Sequence, residues 1–304
     1  MYTDTKNEAT NSTSRIDYEG NLSPVVSRLC EEYSAGDPIL YSPISTGYED
    51  YNVYIETNTG KYVAKIFSKD RTEEDILRYT EIMETVIRAN INHPPLLKTQ
   101  NNEYVFKDSK AKNISMVLMN YVEGKSFMEL GRIPSDKELD HVLEQAAKIN
   151  ALDYKPKYIF DSWAITNNNE MFEKVKGYLS PEDLQMVEIV LKNFSKIPTW
   201  SLPHCFVHGD FTKANIIKGH DGKIYVLDFS VSNRYPRIQE LAVISANLMN
   251  NPKGNTNLRE TIKKVVEKYE KYQKLTKGEK TFIYIYSLAG MTMELMGAYQ
   301  EKYL

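Results

Sequence analysis

Cysteine is scarce in this chain and forms no recognisable motif. Cys30 and Cys205 are its only two cysteines, and they make neither a C-x-x-C motif nor a disulfide framework. The first residues also lack the basic segment followed by an apolar segment that marks a secretory signal peptide. Together these absences predict a reduced protein of the cytoplasm.

Positive charge is not in excess in this chain, and its most apolar long stretch is interrupted by an acid. The chain has 38 Lys and Arg against 41 Asp and Glu, a formal net charge of -3, whereas surfaces that follow a phosphate backbone normally carry a basic surplus. Residues 281–299 are apolar enough to raise the question of a membrane span, but Glu294 inside this stretch favours a helix buried in protein. We therefore expect neither nucleic acid nor a membrane as a partner.

The most informative segment is HGDFTKAN, residues 208–215, which is followed by Asp228 in the run VLDF. Residues 216–217 read as a strand, and Asp221-Gly222 then supplies a favoured hairpin turn. The strand at residues 224–227 returns along the first, so the spacing predicts that Asp228 lies beside Asn215.

These residue types suit the handling of a phosphate-bound cation. One carboxylate, from Asp228, and one amide oxygen, from Asn215, match a hard cation that takes its other ligands from water and phosphate. Asp210 is then left to accept a proton from an attacking hydroxyl.

A sheet precedes this segment and contains one lysine among apolar residues. Residues 44–57 predict a strand, a bend and a second strand, with Ser45, Thr46 and Gly47 at the bend. Residues 62–67 predict the next strand, which carries Lys65. Burying an unpaired ammonium is costly, so Lys65, if buried, requires an anionic partner.

Residues 208–242 resemble the aminoglycoside phosphotransferase and choline kinase superfamily. Its members read HGD, four residues, Asn, and then an apolar strand that ends in Asp. Protein kinases carry HRD and Asp-Phe-Gly, where this chain has HGD at residues 208–210 and Asp-Phe-Ser at residues 228–230, and no Ala-Pro-Glu follows. The chain departs from the superfamily at Glu240, where Asp is more frequent, but the charge is kept.

The resemblance implies an α+β fold of the bilobal protein-kinase-like type. A small N-terminal lobe with an antiparallel sheet and one helix would bind the nucleotide, and a larger, mainly helical C-terminal lobe would carry catalysis and the acceptor. We accordingly expect a polar, disordered tail over residues 1–15, the nucleotide lobe over residues 16–120 and the catalytic lobe over residues 121–304.

The resemblance also implies roles for individual residues. Asp210 would be catalytic, Asn215 and Asp228 would hold Mg²⁺, and Lys65 would meet the nucleotide phosphates and a helix glutamate. For that glutamate Glu81 fits best, and Glu84 and Glu74 are alternatives. The remaining expected nucleotide contacts are the bend residues Ser45, Thr46 and Gly47 and the backbone of Asn120, Tyr121 and Val122.

The implied activity is an ATP- or GTP-dependent, Mg²⁺-requiring transfer of phosphate to a hydroxyl of a small molecule. Aminoglycosides, amino alcohols, hydroxy amino acids and sugars all fit. Asp161, Trp163 and Glu240 suggest an acidic and aromatic corner for a cationic amine, although Trp163 in the core and solvated acids are an equally open interpretation. Two other functions stay open, a non-catalytic nucleotide-binding module and a protein kinase.

Overall fold

The computed structural model describes residues 14–16, 18–44, 50–251, 254 and 257–304. The predicted bend residues Ser45, Thr46 and Gly47 lie outside the described residues, as does most of the predicted tail. The chain divides into two compact units. Unit 1 runs to Ile87 and resumes over His93–Glu123, and unit 2 comprises Arg88–Asn92 and Gly124–Leu304. The assignment of nucleotide binding and catalysis to separate lobes stays a prediction.

Unit 1 is built on a five-stranded antiparallel sheet with two helices. The strand order is β1-β2-β3-β5-β4. The elements are β1 Pro38–Ile44, β2 Tyr51–Thr57, β3 Lys61–Ile66, β4 Phe106–Asp108, β5 Ile114–Asn120, α1 Ser23–Glu32 and α2 Glu73–Arg88. The strand predicted over residues 62–67 is therefore present as β3.

The alternation of side chains along β2 explains how this sheet buries one face. Tyr51, Val53 and Ile55 are buried and every intervening residue of the strand is half-buried, which is the period of two that a sheet with one covered face requires. The apolar side of α1 joins this core through Val25 and Leu29. The sheet therefore gives β3, the strand of Lys65, a rigid neighbour on each side.

Unit 2 is mainly helical and contains two small antiparallel ladders, β6-β8-β9 and β10-β7. Its strands are β6 Gly124–Ser126, β7 His204–Val207, β8 Ile216–Gly219, β9 Ile224–Val226 and β10 Asn233–Pro236. Its helices are α3 Asp136–Asn150, α4 Asn168–Val175, α5 Pro181–Phe194, α6 Ile238–Val243, α7 Leu258–Tyr269 and α8 Lys277–Tyr303.

Local sequence signals set several of these helix ends. Ser180 accepts a hydrogen bond from the Asp183 N–H at the start of α5, and Pro181 occupies the first turn, as its sequence predicts. Thr276 and Glu279 form a capping box at the start of α8. After α6 the helix continues as a π turn over Ile244–Leu248.

Helix α8 lies against α4, α5 and α6 along its length. Gly290 leaves room for the π turn that follows α6, since a Cβ there would lie 3.2 Å from the Ala246 side chain and 3.2 Å from that of Ile165. The stretch that raised the question of a membrane span is thus a packing helix. Within the residues that the structure describes, no helix combines the length and the apolar character needed to cross a bilayer.

Candidate active site

The β8–β9 hairpin brings the two predicted metal ligands to the same place. Ile216 pairs with Val226 across the hairpin, and the Leu227 N–H donates to the Asn215 carbonyl at 2.9 Å. Asp228 therefore follows a residue that is bonded directly to Asn215. The predicted proximity is present, although the loop at residues 220–222 is one residue longer than a two-residue Asp-Gly turn.

Asn215 is also bonded to the predicted catalytic carboxylate. Its Nδ2 donates to Asp210 Oδ2 at 2.5 Å and to the Asp210 carbonyl at 3.3 Å. Because the nitrogen of the amide is used in this way, its oxygen is the atom presented to a cation. An amide oxygen together with the Asp228 carboxylate forms a donor set of hard oxygens, which fits Mg²⁺.

Asp210 is half-buried and lies among other acids. Burial and then the negative charge of Asp228 raise the pKa of Asp210 to about 7, and Asp161 and Glu294 act in the same direction. A carboxyl group with a pKa near neutrality is suited to accept a proton and release it again. The chemistry of this position therefore matches a general base.

Asp228 adopts an uncommon backbone conformation. Its φ is +60°, in the left-handed region that few residues other than glycine enter. Its Oδ1 accepts hydrogen bonds from the Ser230 N–H at 3.2 Å and the Ser230 hydroxyl at 2.6 Å, and such local bonds help Asp to tolerate this region. A backbone outlier of this kind coincides here with the predicted metal ligand.

His208 connects the catalytic loop to the end of β9. Its ring is fully buried, its Nδ1 accepts the Asp210 N–H at 3.0 Å, and its Nε2 lies 2.9 Å from the Leu227 carbonyl. These partners require a neutral ring with the proton on Nε2. Burial lowers the pKa of His208 to about 4, so the ring stays in that form at neutral pH.

Glu240 fastens the same loop from α6. Its carboxylate is fully buried, and its two oxygens accept the N–H groups of His208 and Gly209, each at 3.0 Å. Asn150 Nδ2 donates to it at 3.4 Å. Burial raises the pKa of Glu240 to about 7 although these N–H donors act against the rise. Gly209 itself has a φ of +88°, which favours glycine at this position.

Of the predicted acidic and aromatic corner, Glu240 is a correction, and Asp161 and Trp163 stay a prediction. Glu240 is removed from it, because both of its oxygens are bonded to backbone inside the protein. Asp161 and Trp163 do lie together, since Asp161 Oδ1 accepts the Trp163 N–H at 2.9 Å. Trp163 is 41% exposed, so it is not a core residue.

Helix α8 adds an acid to this corner that the sequence analysis did not assign. The Trp163 indole lies on Gly297, where a Cβ would come within 2.0 Å of the ring. Glu294 lies one turn earlier on the same helix, is exposed, and acts on the pKa of Asp210. The available signal was an acid inside the mainly apolar stretch of residues 281–299.

Asn247, in the π turn, joins α8 to the catalytic loop. Its Oδ1 accepts the Lys213 N–H at 3.0 Å, and its side chain hydrogen-bonds Glu294. The Lys213 amine donates to the Asn250 carbonyl. The loop that carries Asp210 is thus fixed from α6, from the π turn and from β9.

In unit 1, Lys65 is buried and ion-paired, but with a different acid from the one predicted. The Lys65 amine lies 3.1 Å from Asp50 Oδ2. Glu81 is exposed on α2 and does not meet the lysine. The assignment of Glu81 is corrected here, because Glu81 is exposed and a carboxylate that does meet the lysine is that of Asp50, the residue before β2.

At the end of β5, residues 120–122 are predicted to bind the nucleotide through their backbone, and one of these backbone N–H groups is hydrogen-bonded within the protein. The Tyr121 N–H donates to the Lys61 carbonyl at 3.0 Å, and the Tyr121 ring packs edge-on against Tyr54. That N–H is consequently not the donor that an adenine edge would use. Asn120 is exposed and Val122 is half-buried, and their contacts with a nucleotide stay predictions.

The number of protein ligands at Asn215 and Asp228 indicates how a metal ion would be held there. Across the described ranges, which omit residues 45–49, no group of three or more His, Cys, Asp and Glu side chains can hold a metal ion. Asn215 and Asp228 offer two oxygen donors, fewer than the octahedral shell of Mg²⁺ requires, so water and phosphate oxygens would complete it. This fits an ion that reaches the protein bound to nucleotide phosphates.

Comparison with known proteins identifies the family. The model of the phosphotransferase enzyme family, APH, matches residues 41–271, which is more than half of the chain. The chain belongs to this family. The resemblance read from HGDFTKAN and Asp228 is thereby confirmed.

One curated relative matches over a short stretch. A homoserine kinase of Methylorubrum populi is 31% identical over 64 residues, which is 21% of this chain and 20% of that kinase. The match thus spans about a fifth of the length of that relative.

Solved structures of low sequence identity show the fold. An amicoumacin kinase, in complex with AMP-PNP, Ca²⁺ and Ami, aligns with a TM-score of 0.69 at 14% identity, covering 96% of this chain and 89% of that one. The choline kinase LicA from Streptococcus pneumoniae aligns with a TM-score of 0.63 at 15% identity, covering 93% and 92%. The predicted protein-kinase-like fold class is confirmed.

Proposed function

We propose that this chain transfers the terminal phosphate of ATP or GTP to a hydroxyl group of a small molecule. The observation that carries the proposal is that Asn215 bonds both to Asp210 and to Leu227, the residue before Asp228, which groups a proton acceptor with two oxygen donors for a cation. Family membership supports the reaction type, and the Mg²⁺ requirement and the choice of nucleotide are part of the proposal.

The proposed residue roles follow from the chemistry of each group. Asp210 orients the acceptor hydroxyl and takes its proton as that oxygen bonds to the terminal phosphorus and the bond from phosphorus to the bridging oxygen breaks. Asn215 and Asp228 hold Mg²⁺, which when bound neutralises phosphate charge. Lys65 contacts the nucleotide phosphates. His208 and Glu240 hold the loop of Asp210 without touching the substrate.

The acceptor that suits this site carries an amine. Asp161 and Glu294 both act on Asp210 electrostatically, and the exposed Trp163 ring lies beside them on α8. Acids and an aromatic face together favour a cation near the hydroxyl. Two of the matched proteins are named for homoserine and choline, alcohols that each carry a positively charged nitrogen, and this is the feature that we carry over to this chain.

The direct test is transfer of labelled phosphate. Purified protein is incubated with terminally labelled ATP or GTP, Mg²⁺ and a panel of amino alcohols, aminoglycosides, hydroxy amino acids and neutral sugars. We expect labelled product with at least one amine-bearing acceptor and none with Asp210→Ala. Thermal stabilisation by nucleotide without transfer to any acceptor would instead favour a binding module, and label on protein substrates would favour a protein kinase.

Glu294 provides a sharper test of the acceptor class. We expect Glu294→Gln to raise KM for an amine-bearing acceptor about tenfold, the factor that corresponds to roughly 1.4 kcal/mol, while KM for the nucleotide stays unchanged. Glu301→Gln, which also removes an exposed acid from α8, is the matched control and should leave both constants as they are. Equal effects of the two variants would argue against an amine subsite at Glu294.

A further inference from the structure

The Lys65 amine pairs with an acid that comes from a different element from the one that supplies it in protein kinases. In protein kinases the strand lysine pairs with a glutamate on the neighbouring helix. Here the Lys65 amine lies over the ring of Tyr79 on α2, 5.2 Å from its centroid. The carboxylate at 3.1 Å belongs to Asp50.

Asp50 reaches Lys65 from the adjacent strand. It immediately precedes β2, which pairs with β3 so that Asn52 lies opposite Lys65 and Tyr51 opposite Ile66. The pair is therefore held by the hydrogen-bonding register of two neighbouring strands.

Asp50 is itself fixed by further donors. Arg71 donates to its two oxygens through Nε at 2.8 Å and Nη2 at 3.0 Å, and the Ser68 N–H donates to Oδ1 at 3.0 Å. The Asp50 side chain is only 2% exposed. Burial acts to raise the pKa of Asp50, but Lys65, Arg71 and the Ser68 N–H together bring this pKa below its ordinary value, so the carboxylate stays ionised.

We propose that Asp50 is the positioning residue of Lys65, in the role that a helix glutamate has in protein kinases. Asp50, held by Arg71 and Ser68, orients the amine before the nucleotide arrives. An ammonium group has three N–H bonds, so pairing with Asp50 is compatible with donation to phosphate. The inference rests on the proposed function, in which Lys65 contacts nucleotide phosphates.

A double-mutant cycle on nucleotide affinity tests this inference. Affinity for a fluorescent ATP analogue is measured for the wild type, Asp50→Asn, Lys65→Met and the double variant, with Glu81→Gln as the matched control. We expect Asp50→Asn to weaken binding about tenfold in the wild-type background and less than about twofold when Lys65 is already Met, because coupled residues are not additive. Glu81→Gln should bind like the wild type.

The outcomes separate the inference from the proposed function. A wild type that binds no nucleotide would overturn both. Weak binding by Lys65→Met with normal binding by Asp50→Asn would overturn the role of Asp50 alone. An equal loss from Asp50→Asn in both backgrounds would show that Asp50 acts through general stability and would also overturn it.

Side-chain NMR of the wild type covers the case in which Asp50→Asn does not fold. With lysine labelled at Nζ, an ammonium held in a buried ion pair exchanges slowly enough to be observed. We expect one such signal in the nucleotide-free protein that is absent from Lys65→Met. If no Lys65 signal is seen before nucleotide is added, the amine is not held in advance and the inference fails.

Discussion

Replacing Asp210 by asparagine is expected to lower kcat by about 10²–10⁴, the usual contribution of a general base. The shape of the side chain is kept, and Asn215 can still donate to an oxygen at this position. KM for the nucleotide should stay within about twofold, since binding and proton transfer are separable contributions. Steady-state kinetics with the best acceptor from the panel measures both constants.

The same variant is expected to be more stable than the wild type, and by a larger margin at high pH. The pKa of Asp210 rises from the ordinary 3.8 to about 7 in the folded chain. A group of this kind supports folding fully below its unfolded pKa and loses that support as the pH rises through its folded pKa. Thermal unfolding without divalent metal should therefore show a larger gain for Asp210→Asn at pH 8 than at pH 5.

Two results would contradict the assignment of Asp210. One is kcat unchanged within error, which would require another proton acceptor. The other is a variant less stable than the wild type at pH 8, which would mean that the buried charge is compensated in the folded state. Ser230→Ala, which removes a hydroxyl bonded to Asp228, does not change the charge and is expected to keep the pH dependence of the wild-type stability.

Replacing Glu240 by glutamine is expected to reduce both stability and kcat. One oxygen that accepts the N–H of His208 or Gly209 becomes an NH₂ group facing a donor, and leaving a buried donor unpaired costs about 1–3 kcal/mol. The backbone that these bonds fix leads directly into Asp210. We expect kcat to fall in the fraction that is still folded, as measured at a temperature well below the unfolding midpoint.

Glu279→Gln is the matched control for this prediction. Glu279 is also fully buried and accepts two hydrogen bonds from Arg237, at 2.8 Å and 2.7 Å. Its loss should lower the unfolding temperature while kcat of the folded enzyme is retained. If Glu240→Gln loses stability alone, in the same way as Glu279→Gln, the carboxylate does not position the catalytic loop.

The hairpin geometry of the site could be predicted from sequence because it depends on local chemistry. A short turn with a glycine between two apolar strands predicts a hairpin, and the returning strand brings Asp228 close to Asn215. The reaction class followed from the resemblance that these residues carry. Neither prediction required knowing which residues from distant parts of the chain come into contact.

The partner of Lys65 could not be predicted in the same way. Several acids on α2 share a helical face, and periodicity does not show which of them approaches β3. Asp50 lies close to the predicted bend in the sequence, and no periodic pattern of apolar residues indicates that it is buried. Its closeness to Lys65 results from the pairing of β2 with β3 and from the turn that brings Arg71 to it, both of which require the folded chain.

The contacts of Glu240 and Trp163 could not be predicted from the sequence for a related reason. The sequence shows that Glu240 keeps the charge usual in the family, but not that both of its oxygens are consumed by backbone N–H groups. The contact of Trp163 with Gly297 joins residues far apart in the chain. A single sequence contains no record of such a pair.

The π turn at Ile244–Leu248 makes this part of the molecule more sensitive to length than to composition. Each residue of an ordinary helix advances the direction of its side chain by about 100°. Deleting one residue here would let the backbone wind regularly and would swing the Asn247 amide away from Lys213 and Glu294. This segment should therefore tolerate substitutions more readily than the insertion or deletion of a single residue.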